Sequence, residues 1–337
     1  MLGNRVTVMR NKNHIERHYT KWGYFFIIPF VVVFLAFNFW PLASTLYYAF
    51  CDLKHAGNTH PDFLPSIGKP LFKNFTEVFK AKFFHSALKN SFFFFFASTI
   101  PEWILAFWLA VMMTDRRMQI KGRFIWKTAF FFPKLVAGTA LAGSVLIQFV
   151  SFVANGTGYS VAAFAMNGFG ITADDVKFFT SVQFIIIVVS MFLHFGITFI
   201  YAVAGITGIP VEVFEAAEID GATRPQTFFR ITLPSMRPML FFITVVSVVD
   251  GIGMYDLPSY FGSFDTTRSN LTLMMYMQNQ AFQGSYAYDK ASAISLIILG
   301  IYIILAVIIY FILLRDKDEI QLKKLIRQER REMRKGA

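Results

Sequence analysis

The sequence predicts an all-α membrane protein with six transmembrane helices and both termini in the cytoplasm. Of its 337 residues, 55% are hydrophobic and only 16% are charged, and the mean hydropathy is +0.50. A soluble chain of this length forms one or two domains and needs more polar surface than this composition supplies. The apolar residues also gather in blocks of about 20 or more, the length that a membrane-spanning helix requires. The solvent of this protein is therefore a lipid bilayer.

Six apolar blocks are long enough to cross the membrane, and we number them as spans one to six. They cover residues 22–50, 90–113, 124–151, 182–206, 237–262 and 291–314. Prolines inside them, such as Pro101 and Pro258, predict kinks, because neighbouring helices and hydroxyl groups can satisfy the carbonyls that a proline frees. The first block follows a basic tail, residues 1–21, and is too long for a cleavable signal peptide, so we expect it to remain in the membrane.

The positions of Lys and Arg predict the orientation of the spans. The tails 1–21 and 315–337, together with segments 114–127 and 207–238, contain 22 of these residues, whereas the connections on the opposite side contain 9. Because basic residues are enriched in cytoplasmic loops, both tails are expected in the cytoplasm. The net charge of +11 also fits a nucleic-acid binder. Its placement at the ends of the spans argues for a topology signal instead, with the C-terminal tail attracted to anionic lipid headgroups.

Motifs for chemistry are not found in the sequence. Cys51 is the only cysteine, so an intrachain disulfide and a cysteine-based metal cluster are excluded. The chain contains no G-x-x-x-x-G-K-[ST] phosphate loop and no H-E-x-x-H pair. We therefore expect no catalytic residues, no metal site and no cofactor in this chain.

Segment 207–238, between spans four and five, predicts a helical elbow on the cytoplasmic side. Pro210 suits the start of a helix, and Gly221 supplies the turn that ends it. A second short helix is expected to begin at Pro225 and to end before Pro234. The prediction is a helix-turn-helix that projects from the membrane.

The same segment resembles the EAA loop of ABC importer permeases. Glu215-Ala216-Ala217 is followed after three residues by Gly221, and nine residues later by Ile231-x-Leu233-Pro234, which is the spacing of that family. The resemblance implies a type I ABC importer permease fold. It also implies that the loop docks on a separate ATP-hydrolysing subunit and transmits its closure to the membrane. The positions it assigns to coupling are Glu215, Ala216, Ala217, Asp220, Gly221, Ile231, Leu233 and Pro234.

Weaker matches in residues 22–50, 74–94 and 264–299 resemble the carbohydrate-uptake permeases of the maltose type. That family implies a bacterial cytoplasmic membrane, ATP-binding cassette subunits that bind ATP and Mg²⁺, a second related permease and an extracellular solute-binding protein. It implies a carbohydrate as the solute, with an oligosaccharide favoured and a monosaccharide derivative or a sugar phosphate left open. Residues 259–265 depart from the family's GGP-like segment, which weakens the inference about the solute.

Three ionisable residues lie at the centres of their spans, at similar depth: Glu102, His194 and Asp250. Such groups are costly in lipid and usually face a cavity or a partner, and transported solutes are commonly held near the midplane. Polar residues recur at helical spacing around two of them. The predicted solute-pathway residues are Ser190, His194, Ser247, Asp250, Gly251 and Tyr255. The alternative is that His194 and the two serines only join neighbouring helices, and Glu102 lies on a more peripheral span.

Two other classes of function compete with the permease. A secondary transporter or channel needs its own ion-coupling groups and usually an internal repeat, and neither is evident in the sequence. A membrane enzyme would use Glu102, His194 and Asp250 for acid–base chemistry, but no nucleophile motif accompanies them. Co-purification with an ATPase is expected of the permease and of neither alternative, so it distinguishes the three classes.

Overall fold

A computed structural model describes residues 23–53, 61–64, 69–115, 118, 121–135, 182–262, 269–283 and 286–314. These residues are mainly helical, which confirms the predicted all-α class. The helices, in chain order, are α1 Gly23–Tyr48, α2 Lys73–Lys80, α3 Lys82–Thr114, α4 Arg123–Leu135, α5 Val182–Thr207, α6 Val211–Ile219, α7 (three successive pieces, Arg224–Thr227, Phe228–Thr232 and Leu233–Ser235), α8 Arg237–Ile252, α9 Asp256–Gly262, α10 Leu273–Phe282 and α11 Tyr288–Leu313. Two short strands, β1 Cys51–Asp52 and β2 Asp62–Phe63, pair antiparallel.

Five segments of the described chain are helical, long and apolar enough to cross a membrane. They are Gly23–Tyr48, Lys82–Thr114, Gln183–Thr207, Arg237–Tyr260 and Tyr288–Leu313. They coincide with predicted spans one, two, four, five and six. Span two begins at Lys82, about two helical turns earlier than predicted, because α2 ends at Lys80 and only the extended Ala81 separates the two helices. Of span three, 124–151, the structure describes α4, and the remainder lies outside the described residues.

The helix of span five is interrupted, whereas the sequence predicted a continuous helix with a kink at Pro258. Its first part, α8, ends at Ile252, and α9 begins again at Asp256. The expected kink at Pro258 is wrong, because this proline occupies the first turn of a new helix, where its missing N–H costs little. The break lies earlier, and the Thr272 hydroxyl donates to the Met254 carbonyl there at 2.9 Å. A carbonyl that leaves the helix thus finds a partner inside the protein, as a membrane environment requires.

The described residues belong to two compact units. The first is drawn from Met1–Val78 and Gln280–Leu296. In it the Asp52 carboxylate accepts hydrogen bonds from the ammonium groups of Lys69 and Lys73. The Lys69 ammonium holds the pKa of the Asp52 carboxyl below its ordinary value. A carboxyl group whose pKa is lower in the folded state stabilises the fold at pH values above its ordinary pKa. This contribution is lost as the pH falls through the lowered pKa.

The second unit is drawn from Phe79–Asn279 and Ile297–Ala337, and its core is formed by α3, α5 and α8 with α4 packed on α5. The helices approach closely where glycine replaces a side chain. A Cβ at Gly196 of α5 would lie 2.5 Å from the Phe130 carbonyl oxygen of α4. A Cβ at Gly251 of α8 would lie 2.5 Å from Cδ2 of Phe95 on α3. Larger residues at these two positions would push the helices apart.

Candidate functional site

The elbow, residues 207–238, is built from local signals that the sequence carries. Pro210 immediately precedes α6, as predicted. At the other end Gly221 has a φ of +74°, a conformation that glycine adopts without strain. Its N–H donates to the Glu218 carbonyl, and the Ala222 N–H donates to the Ala217 carbonyl at 2.9 Å. This pair of bonds is the Schellman motif that ends many helices, and it fixes the turn.

The second half of the elbow is longer than predicted. Thr223 caps α7, and its N–H donates to the Gln226 side chain at 2.8 Å, which completes a capping box. The helix begins at Arg224, one residue before the predicted start, and the expected end before Pro234 is wrong because helical turns continue to Ser235. A π-type turn, Phe228–Thr232, comes directly before this last piece. Such turns change the hydrogen-bond pattern, which lets the helix accommodate a proline without an N–H.

The elbow has an inner face that holds it against the membrane-spanning helices. Ala217 is buried, and Phe214 and Leu233 pack against a buried apolar cluster. That cluster contains Ala106, Ala110 and Met113 of α3, Phe195, Phe199, Ala202, Val203 and Ile206 of α5, and Met236 and Leu240 next to and within α8. Ile231 and Pro234 are half-buried. The inner face therefore joins the elbow to three helices at once.

The outer face of the elbow is free of contacts with that cluster. Glu215, Ala216, Asp220 and Gly221 are exposed, and Ile219 is 87% exposed. These side chains are open to a partner protein, as the EAA resemblance implies. The eight predicted coupling residues thus divide between an exposed set and a set that faces inward.

An ion pair ties the elbow to the end of span two. The Arg224 guanidinium lies 3.3 Å from the Asp115 carboxylate, and Asp115 follows the last residue of α3. Arg123 donates to the backbone carbonyls of Asp115 and Met118, which holds the same connection in place. This ion pair could not be predicted from the sequence, because residues 109 positions apart give no local signal of contact.

A polar pocket lies between α3, α5 and α8 in the second unit. Its cavity volume is about 20 Å³, room for about one water molecule. The lining residues are Ser98, Thr99, Glu102, His194, Ile197, Thr198, Val246, Ser247, Asp250, Gly251 and Met254. Glu102 is 3% exposed and forms the floor, whereas the side chains of His194 and Asp250 are 27% and 41% exposed and stand at the mouth.

Hydrogen bonds between helices shape this pocket. The Thr198 hydroxyl of α5 donates to Glu102 of α3 at 2.6 Å, and the Trp103 indole N–H of α3 donates to the Ser247 hydroxyl of α8 at 3.2 Å. His194 Nδ1 lies 2.8 Å from the Ser190 carbonyl, and its Nε2 lies 4.0 Å from the Asp250 carboxylate. The three mid-span ionisable residues of the sequence analysis therefore meet in one place.

Four of the six predicted pathway residues line the pocket: His194, Ser247, Asp250 and Gly251. The structure does not place Ser190 and Tyr255 there. Ser190 is buried one turn from His194, and its hydroxyl contacts the Met254 sulfur at 3.4 Å. A role in the solute pathway stays a prediction for all six residues.

Four further polar residues line the pocket without being among the predicted pathway residues: Ser98, Thr99, Glu102 and Thr198. Helical spacing gives a signal for all four: Ser98 and Thr99 precede Glu102 by four and three residues, and Thr198 follows His194 by four. The expectation that span two is peripheral argued against a place for its residues in the solute pathway. Only the packing of α3 against α5 and α8 reveals that its polar face points to the same pocket.

Comparisons with known proteins agree on one kind of protein. The chain is 26% identical over 262 residues to the arabinooligosaccharides transport system permease protein AraP of Halalkalibacterium halodurans, covering 77% of this chain and 78% of the relative. It is 28% identical over 288 residues to the sn-glycerol-3-phosphate transport system permease protein UgpA of Brucella abortus, covering 84% and 91%. No family model matches the chain.

The fold also matches a solved structure. A chain of a bacterial ABC transporter involved in the import of the acidic polysaccharide alginate aligns with a TM-score of 0.66 at 21% identity, covering 91% of this chain and 99% of that one. The near-complete coverage of both chains shows that they share a fold.

The chain is an ABC importer permease subunit. It is a multi-pass protein of the cell membrane, as the sequence predicted. The permease is the membrane component of its transporter, and ATP hydrolysis belongs to a separate subunit. The coupling role of segment 207–238 stays a prediction.

Proposed function

We propose that this permease forms half of the translocation pathway for a carbohydrate in an importer driven by ATP and dependent on a binding protein. The observation that carries the proposal is the elbow. Its inner face is locked to α3, α5 and α8, and its outer face presents Glu215, Ala216 and the exposed Ile219. A rigid strut attached to the helices that line a polar pocket can pass a movement of an external subunit to that pocket.

We infer six spans with both termini in the cytoplasm, which places the elbow on the side where ATP is available. The distribution of Lys and Arg supports this orientation, and five of the six spans correspond to helices of the described chain. The tails 1–21 and 315–337 flank a membrane domain of residues 22–314. The proposed partners are ATP-binding cassette subunits, which bind ATP and Mg²⁺, a second related permease, an extracellular solute-binding protein and the surrounding lipid.

The solute class follows from the relatives. AraP is named for arabinooligosaccharides and UgpA for sn-glycerol 3-phosphate, and the solved transporter imports alginate. All three are carbohydrates or a related polyol phosphate, so a carbohydrate is the solute we propose, with an oligosaccharide favoured. The relatives include both neutral and anionic solutes, so membership of the family leaves the charge of the solute open.

Uptake into proteoliposomes tests the proposal. The permease is purified with the subunits that it retains, and a binding protein encoded beside it is supplied inside or outside the vesicles together with ATP. We expect an ATPase to co-purify and uptake to require both ATP and binding protein. Uptake that runs on an ion gradient without ATP would show a secondary transporter, and would contradict the proposal.

A further inference from the structure

We propose that the polar pocket binds a single water molecule, which bridges His194 of α5 and Asp250 of α8. The water joins the two membrane-spanning helices that precede and follow the elbow. It lets both helices follow a movement of the elbow together, a consequence that rests on the proposed function. The observations behind the proposal are the size of the pocket, its polar lining and a gap between two of its helices.

The size and lining of the pocket fit one water molecule. Its cavity volume is about 20 Å³, and about 10–15 Å³ is enough to hold a water. A water bound inside a protein also needs about two to four polar partners. Such partners are present, because Thr99, Glu102, His194, Ser247 and Asp250 all line the pocket. The pocket is therefore both large enough and polar enough for a bound water.

Two sides of the pocket are closed by direct hydrogen bonds between helices. Across it, one side chain of α3 is bonded to α5 at 2.6 Å, and another is bonded to α8 at 3.2 Å. On the third side, between α5 and α8, His194 Nε2 and an Asp250 carboxylate oxygen lie 4.0 Å apart. This distance is too long for a hydrogen bond. A water between them closes this side, because two bonds of about 2.8 Å that meet at one oxygen span about 4.0–4.6 Å.

The hydrogen-bonding groups around the gap give this water a defined orientation. The Ser190 carbonyl only accepts, so its 2.8 Å contact with His194 places the hydrogen of a neutral imidazole on Nδ1. Nε2 is then an acceptor that faces the acceptor oxygen of Asp250, and a water has two hydrogens to donate to this pair. The Ser247 hydroxyl accepts from the Trp103 indole, which leaves its own hydrogen for the water oxygen. The water thus makes about three hydrogen bonds, the usual number for a buried water.

High-resolution cryo-EM of the assembled transporter tests the water directly. We expect one density peak in the pocket, about 2.7–3.2 Å from both His194 Nε2 and an Asp250 oxygen. Asp250→Glu should abolish this peak, because one additional methylene brings the carboxylate onto the imidazole and fills the space of the water. A map that shows ordered waters elsewhere in the protein but none here would overturn the inference. Direct contact between the two parent side chains would overturn it too, as would a peak with contacts of about 2.3–2.6 Å, which indicate a cation.

Thermal unfolding of the solubilised permease tests whether the water joins the helices. Asp250→Ala removes one acceptor of the water, and the apparent unfolding temperature should fall by about 2–4 °C. Asp250→Asn is the matched control, since its amide oxygen still accepts from the water, and it should lose less than half as much. In a direct ion pair both substitutions remove the charge. Equal losses in the two variants would therefore contradict the bridge.

A double variant, His194→Ala with Asp250→Ala, supplies a second check. A water bonded to both side chains is lost when either is removed, so the double variant should unfold within about 1 °C of the less stable single variant. Losses that add up would show that the two side chains act independently, and would overturn the inference. The proposed function is judged separately, by ATP-dependent uptake. A bridging water in a protein without such uptake supports this inference and contradicts the proposed function, whereas uptake without the water contradicts this inference alone.

Discussion

The elbow and the polar pocket are attached to the same three helices, but they are built in opposite ways. In the elbow, the hydrogen bonds that fix the turn at Gly221 and the cap at Thr223 join residues no more than five positions apart. The pocket is joined by Thr198 to Glu102 across 96 positions and by Trp103 to Ser247 across 144. The elbow therefore keeps its shape by itself, whereas the pocket depends on the placement of α3, α5 and α8. Changes on the outer face of the elbow should alter coupling without altering the fold.

The largest effect is expected from Glu215→Lys. Glu215 is exposed on the outer face and has the position that the EAA resemblance assigns to the ATPase interface. Reversing its charge puts a cation where the partner is expected to supply one, and like charges at an interface cost several kcal/mol. We expect uptake in proteoliposomes to fall by about a hundredfold, with the amount of membrane-inserted permease unchanged.

The matched control is Glu212→Lys, which makes the same change one helical turn earlier on α6, also at an exposed position outside the motif. It should retain most of the uptake. If both variants transport equally well, the outer face of the elbow does not determine coupling to the ATPase.

The ion pair between Arg224 and Asp115 tests whether the elbow is held to α3. Arg224→Asp places two carboxylates opposite each other, which should loosen the elbow from the end of span two. Because Arg224 is largely exposed, the pair contributes about 0.2–1 kcal/mol, the range of surface ion pairs. We expect a loss of about threefold to fivefold in solute transported per ATP hydrolysed.

The double variant Asp115→Arg with Arg224→Asp restores an ion pair with the charges exchanged. It should recover most of the parent's ratio of solute transported to ATP hydrolysed. A ratio that falls in the single variant and stays low in the double one would assign Arg224 to another contact. A double-variant cycle of this kind isolates the interaction between the two residues.

The same difference in construction explains what could be predicted from the sequence. The elbow was predictable because proline, glycine and the EAA residues follow one another within a single segment, and each acts on its own neighbourhood. Its second helix was misjudged at Pro234, since a π-type turn that accommodates proline has no clear signature in the sequence. Span five was misjudged for a related reason: Gly253 ends α8, but a lone glycine in an apolar run is common in membrane helices.

The pocket was predictable only in part. Helical spacing placed His194, Ser247, Asp250 and Gly251 on polar faces, but it could not show that a third helix completes the pocket. Glu102 joins through its contact with Thr198, and the close packing at Gly251 against Phe95 brings α3 and α8 together. Contacts between helices distant in sequence depend on packing, and a single sequence contains no record of them.

Thr198→Val measures how far the pocket depends on contacts between helices. It keeps the shape of the side chain but removes the hydroxyl that donates to the buried Glu102. A buried polar group that loses its partner costs about 1–3 kcal/mol. We expect the solubilised permease to unfold at a lower temperature, while uptake per folded transporter falls by less than in Glu215→Lys.

Thr198→Ser retains the hydroxyl and serves as the control, with a stability close to that of the parent protein. Equal stability of the valine and serine variants would show that Glu102 finds another partner, and that this hydrogen bond does not organise the pocket.

The smallest effect compares two serines on either side of the pocket boundary. Ser247 lines the pocket, whereas Ser190 is buried behind His194 and contacts Met254. Ser247→Ala removes a polar group from the pocket, so the concentration for half-maximal uptake should rise by about twofold to fivefold, the change expected from one hydrogen bond of about 0.5–1 kcal/mol. Ser190→Ala should leave that concentration unchanged, because its hydroxyl has no path to a solute. A larger change for Ser190→Ala than for Ser247→Ala would move the solute away from the described pocket and toward the break in span five.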